Sequence, residues 1–107
     1  MAQYRRGREK LHAALHRLTV HEGDVRARLK SAYFYLRQLT DRDLPEELWE
    51  EFSDIKKELH ARGPRKGKDG EVWETSLVHT LRRMRNSTGR ELAERLHSVT
   101  RKLDQND

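Results

Sequence analysis

The chain has 107 residues, enough for a single core, with 34% hydrophobic residues, 38% charged residues and a net charge of +5. It has no cysteine, which excludes disulfides, thiolate catalysis and cysteine-ligated zinc. No apolar run nears the roughly 20 residues that span a bilayer, and the first residues form no continuous apolar block, so the expectation is a cytoplasmic protein without membrane insertion or a secretory leader.

An α-helix advances about 100° per residue, so apolar residues three and four apart form a stripe. Residues 1–21 are rich in Arg, amphipathic and hold one acid, Glu9. A mitochondrial transit peptide has the same composition. Leu11, Ala14, Leu15 and Leu18 nevertheless match the later stripes and favour a first bundle helix. Gly23 and Asp24 supply a stop and an N-cap. Val25, Leu29, Ala32, Leu36 and Leu39 then define a second helix. Phe34 projects about 170° from that stripe, on a face with Ala27, Ser31 and Gln38. It is expected to be covered on the far side of a central helix, with a partner or self-association patch as the alternative. Tyr33 and Tyr35 are read as edge-of-core packing.

Asp43-Leu44-Pro45-Glu46 opens a third helix, striped by Leu48, Phe52, Ile55 and Leu59, with acids favouring its N-terminal dipole. Residues 41–59 hold eight acids against Arg42, Lys56 and Lys57. The molecule is therefore a basic body with one acidic helix. Within that helix Trp49 sits among Glu46, Glu47, Glu50 and Glu51, the composition of a protein-binding anchor, with burial at the bundle edge as the plain alternative. The breaker run from Gly63 to Gly70 predicts a flexible basic loop at about 62–72 inside one domain spanning 1–107. Trp73, Leu77, Leu81 and Met84 predict a fourth helix, and Leu92, Leu96, Val99 and Leu103 a fifth. The two are joined at Ser87-Thr88-Gly89 as a helical hairpin, with Thr88 and Glu91 at capping-box spacing. No segment alternates with period two, so the fold class is all-α, a compact bundle of about five helices.

Motif chemistry is sparse. Glu9 with His12, and Glu94 with His97, have the spacing of di-iron bundles, but both Glu residues point away from their apolar stripes, so no metal is expected. His12 and His16, one turn apart, lack an evident third ligand. The segment Gly67-Lys68-Asp69 has no Ser or Thr after its Lys and is not a P-loop. A helix-turn-helix is disfavoured, because long Met84 and Arg85 fall where a tight crossing needs a small residue. What remains is a basic constellation of Arg82, Arg83, Arg85 and Arg90 with Arg65, Lys66 and Lys68, suited to the phosphate backbone of RNA or DNA. The expectation is a small accessory or regulatory binding module without catalysis or cofactor. A protein adaptor or homodimer using Trp49 and Phe34 is the alternative.

Two resemblances add to this. Arg90 and His97 resemble the Arg-x-His motif of the HEPN ribonuclease superfamily, which implies a metal-independent ribonuclease with both groups near the scissile phosphate. The Glu91 that follows Arg90 departs from that pattern, where a small polar residue is preferred. The runs GDVRARLKSAY, DLPEELWEEF and TLRRMRNSTGRELAERL resemble small all-helical bacterial proteins that have no assigned activity. That resemblance implies a bacterial helical protein and carries no site residues.

Overall fold

In the computed structural model, residues 4–106 are described, so the parts of the sequence expectations falling on 1–3 and 107 lie outside them. The elements are α1 (Arg5–Val20), α2 (Val25–Leu36), α3 (Glu46–Leu59), β1 (Arg65–Lys66), β2 (Val72–Glu74), α4 (Ser76–Arg83) and α5 (Asn86–Asp104). The bundle is all-helical apart from the two short strands.

The apolar stripes converge on one core. Leu11, Ala14 and Leu18 of α1, Leu29, Ala32 and Leu36 of α2, Phe52, Ile55 and Leu59 of α3, and Leu92, Leu96, Val99 and Leu103 of α5 are all buried. α5 packs against α1, α2 and α3, while α4 packs against α2 and α3. Phe52 is the largest fully buried side chain, and Trp49 packs on it one turn away, ring centroids 5.7 Å apart, half-buried at the edge of the core.

Local signals explain the helix ends. Gly23, at φ 102°, turns the chain, and the Asp24 carboxylate accepts from the amides of Arg26 and Ala27 at 3.1 Å to start α2. The Arg26 side chain on Asp24 holds that carboxyl below the usual range, with help from the capping amides. Pro45 stands at the N-cap of α3, ahead of Glu46 and Glu47 in the first turn. Arg28 Nη1 donates to the Leu18 carbonyl at 3.3 Å and so covers the C-terminal turn of α1.

Three elements differ from the sequence expectation. Residues 65–74 form an antiparallel hairpin, with Arg65 opposite Glu74 and Lys66 opposite Val72, inside the segment expected to be a flexible loop. Its turn runs from Gly67 to Gly70, closed by the Gly70 amide on the Gly67 carbonyl at 3.1 Å, with Gly70 at φ 81° leading into β2. Trp73 therefore lies on β2, 59% exposed, and α4 begins only at Ser76, capped by Thr75, whose hydroxyl accepts from the Val78 amide. α5 begins at Asn86, so the turn between α4 and α5 is Met84-Arg85, and Thr88 does not cap the helix. Gly89 instead lies inside α5 against Val25: a Cβ there would stand 2.7 Å from Val25 Cγ1.

The junction of α1 with the turn before α3 is equally close. A Cβ on Gly7 would collide with the Asp43 carbonyl oxygen, and beside it the buried Asp43 carboxylate accepts from Arg6 Nη1, the Thr40 amide and the Thr40 hydroxyl. Glycine to alanine inside a helix is ordinarily stabilising by about 0.5–1 kcal/mol. Here the collision is with backbone, which has no rotamer to yield, so Gly7→Ala is expected to cost about 1–3 kcal/mol net. Urea titration followed by circular dichroism checks this, and an unchanged midpoint contradicts it.

Candidate functional site

The predicted basic residues divide among several surfaces. Arg82 donates twice to Glu74, Nε and Nη2 each at 2.9 Å, and Arg65 reaches the same carboxylate at 3.4 Å. Arg82, followed by Arg65, holds the Glu74 carboxyl below its usual range, and Glu74 in turn raises Arg82. Both guanidiniums therefore spend charge inside the molecule. Arg83 and Arg85 line a cleft with Arg62, Glu58 and Thr88. Lys66 and Lys68 sit on the hairpin, where Arg65 lies over the Trp73 ring at 5.1 Å and Trp73 Nε1 donates to Glu71. Asp69, Glu71 and Glu74 balance the hairpin's three cations, Arg65, Lys66 and Lys68.

Arg90 and His97 lie together in another cleft, with Arg28, Glu94, Thr19 and the apolar Leu18. The Nε of Arg28 is buried there without a hydrogen-bond partner. Glu94 shares the lining, so an acid stands between the predicted Arg and His on α5.

The α1–α2 face collects what sequence reading left scattered. Phe34 is 51% exposed rather than covered by a neighbouring helix. Its ring meets Tyr35 edge-on with centroids 5.1 Å apart, and the Arg37 guanidinium lies 5.2 Å from its centre. Lys10 and Arg17 approach the Tyr35 ring from α1 at 6.0 and 5.6 Å. Arg17 also donates to Ser31 Oγ at 3.3 Å. Together with Lys30, Arg17 and Phe34 line a cleft of about 500 Å³ that is completed by His21, Ala27 and Ser31. Exposed Val20 and His16 border the same ridge.

Ion pairing leaves cations without a carboxylate partner on this face as on others, where Lys66, Lys68, Arg83, Arg85, Arg90 and Arg101 also have none among the described residues. Most cations elsewhere on α1, α2 and α5 that meet acids do so across elements: Arg6 with Asp43, Arg95 with Glu58, and Lys102 with Glu51. Among the described residues, Lys10, Arg17, Lys30 and Arg37 have no carboxylate partner. Residues 10–37 hold six Lys and Arg against Glu22 and Asp24. The helical wheel identified Phe34 as outward-facing. The missed signal was that Lys30 and Arg37, within one turn of Phe34, belong to the same outward surface.

A second polar cluster lies between α2, α3 and α4. Tyr33 Oη and His60 Nε2 are 2.6 Å apart, and His60 Nδ1 bonds the Ser76 hydroxyl. In one tautomer Tyr33 donates to the ring and the ring to Ser76; in the other both directions reverse. Burial pushes His60 below 6.5, assisted by Lys56, and pushes Tyr33 up. No cleft among those described opens onto Ser76 and His60 together, so the cluster serves as a tie between helices. Among the described residues no group of three or more His, Asp or Glu is placed to hold a metal, and no helix is long and apolar enough to cross a membrane.

The His60 shift has a defined sign. The unfolded chain binds a proton near pH 6.5 while the folded ring resists it, so this contribution to stability is complete above 6.5 and is lost as pH falls toward the folded value. His60→Gln is expected to flatten the decline in stability between pH 7.5 and 5, measured by denaturant titration at each pH. An equally steep decline in the variant would assign the acid sensitivity to other groups.

No family model, curated protein or solved structure matches the chain.

Proposed function

We infer that the protein is a small, non-catalytic binding module that contacts the phosphate backbone of nucleic acid, with the α1–α2 face as its principal surface. The observation that carries this reading is the set of four cations without carboxylate partners, Lys10, Arg17, Lys30 and Arg37, gathered around exposed Phe34 and Tyr35. Such cations release condensed counterions when they meet phosphates, whereas Arg82 and Arg65 must first give up Glu74. Arg83, Arg85 and Arg90 carry positive charge in two other clefts of the molecule, while Lys66 and Lys68 stand on a hairpin whose charges balance.

A second reading is favoured by the cleft that Arg90 and His97 share with Arg28. Two guanidiniums and an imidazole are groups suited to a phosphodiester, and the HEPN resemblance supplies the corresponding reaction, metal-independent RNA cleavage. In that reading His97→Ala abolishes cleavage while leaving binding at the α1–α2 face intact.

The principal reading is tested by fluorescence anisotropy of labelled nucleic acid across a salt series, with cleavage scored in the same tubes. Arg17→Gln/Lys30→Gln/Arg37→Gln is expected to weaken binding to all sequences alike and to reduce the slope of log affinity against log salt by about 2–3. Arg82→Gln is expected to change it little. If the triple variant binds as the parent does, this surface is wrong; if the parent binds nothing at low salt, the nucleic-acid reading falls with it.

A further inference from the structure

Resting on the backbone-binding reading, we propose that the α1–α2 face selects single-stranded over duplex nucleic acid by stacking an unpaired base on Phe34. The feature that bears on the ligand is the setting of the phenyl ring, beside a cleft lined by Arg17 and Lys30 and with Arg37 against it, since a surface for phosphates alone makes no use of an aromatic face. Phe34 is half exposed on a regular helix: the Arg37 guanidinium and the Tyr35 ring lie against it, and the rest of the ring is open to solvent.

The surroundings match an unpaired base more closely than an apolar protein segment. The cleft beside Phe34 joins an apolar wall, Ala27 and the ring, to two polar groups, the Ser31 hydroxyl that accepts from Arg17 and the His21 imidazole that bonds the Glu22 carbonyl. Arg17 and Lys30 line the same cleft, and Arg37 lies against the ring. Lys10 continues the line of charge along α1 past Tyr35. An aromatic platform flanked by cations at about one nucleotide's reach is the arrangement by which single strands are held without sequence reading, because every base has a π-face. A duplex keeps its bases paired and stacked, so it presents only phosphates to this face. An apolar or basic protein partner would have to bury these cations without compensation.

The test compares a labelled oligo(dT) and oligo(U) of about twelve nucleotides with a duplex of equal length, on the full chain and on Phe34→Ala, Phe34→Leu and Phe34→Trp. All three substitutions are at an exposed position, and circular dichroism verifies that each variant is folded. Both single strands are expected to bind the parent more tightly than the duplex does. Phe34→Ala and Phe34→Leu should weaken single-strand binding about ten-fold while leaving duplex binding unchanged, and Phe34→Trp should retain it. Equal affinity for strand and duplex, unaffected by Phe34→Ala, overturns this inference while leaving backbone binding in place. A parent that binds no nucleic acid overturns both. If Phe34→Ala instead converts a dimer to a monomer in light scattering and leaves nucleic-acid binding unchanged, the ring belongs to a contact between copies of the chain, and the inference is also wrong.

Discussion

The structure depends on the stripe of α5. Leu92, Leu96, Val99 and Leu103 are each at most 1% exposed, and through them α5 meets α1, α2 and α3. With only about a third of its residues hydrophobic, the chain has little apolar surface to spare, so one helix must serve three neighbours. Close approach makes this possible at one end, where Gly89 lets α5 settle against Val25. A similar economy operates at Gly7, where the lack of a side chain admits the turn that leads into α3.

Charge follows from the same scarcity. A surface so rich in ions needs acids and bases apportioned, and the acids of α3 and the flanking turns are used as inter-element ties to Arg6, Arg95 and Lys102. The exposed pairs, Arg95 with Glu58 and Lys102 with Glu51, each contribute about 0–1 kcal/mol, so their effect on stability is modest. Their effect on the external field is larger, since each tie cancels a cation that would otherwise face outward. Cations without a carboxylate partner remain on several surfaces, and four of them, Lys10, Arg17, Lys30 and Arg37, lie about Phe34 and Tyr35.

How much of this could be read from residue order depends on the range of the interaction. Helical stripes are local, and the periodicity of α1, α2, α3 and α5 was legible to within a few residues because burial repeats every turn. The hairpin escaped notice because its strands are two and three residues long and mostly exposed, so no alternation marks them, although Asp69-Gly70 is a hairpin turn signal. Trp73 fitted the α4 stripe by spacing, yet the chain has already left the strand only at Thr75, so that match was accidental. The pairing of Arg82 with Glu74, or of Lys102 with Glu51, joins residues 8 and 51 apart in sequence. Spacing along one helix carries no information about such partners. Consequently the list of arginines was readable, and which of them are occupied was not.

The tie formed by Tyr33, His60 and Ser76 bears on how the molecule opens. α4 has eight residues, too few to persist as an isolated helix, and the hairpin before it is a two-stranded ribbon with exposed side chains. Apart from Leu81 and Thr80, few buried groups anchor this segment; the hydrogen bond between His60 and Ser76 ties it to the end of α3, while those of Arg62 with Thr80 and of His79 with Gly63 hold it to itself. Residues 62–83 then constitute a cooperative unit that detaches at lower free energy than the α1–α2–α5 assembly. Amide exchange would see it as a separate class, with the α1–α2 ridge remaining intact while the segment comes and goes.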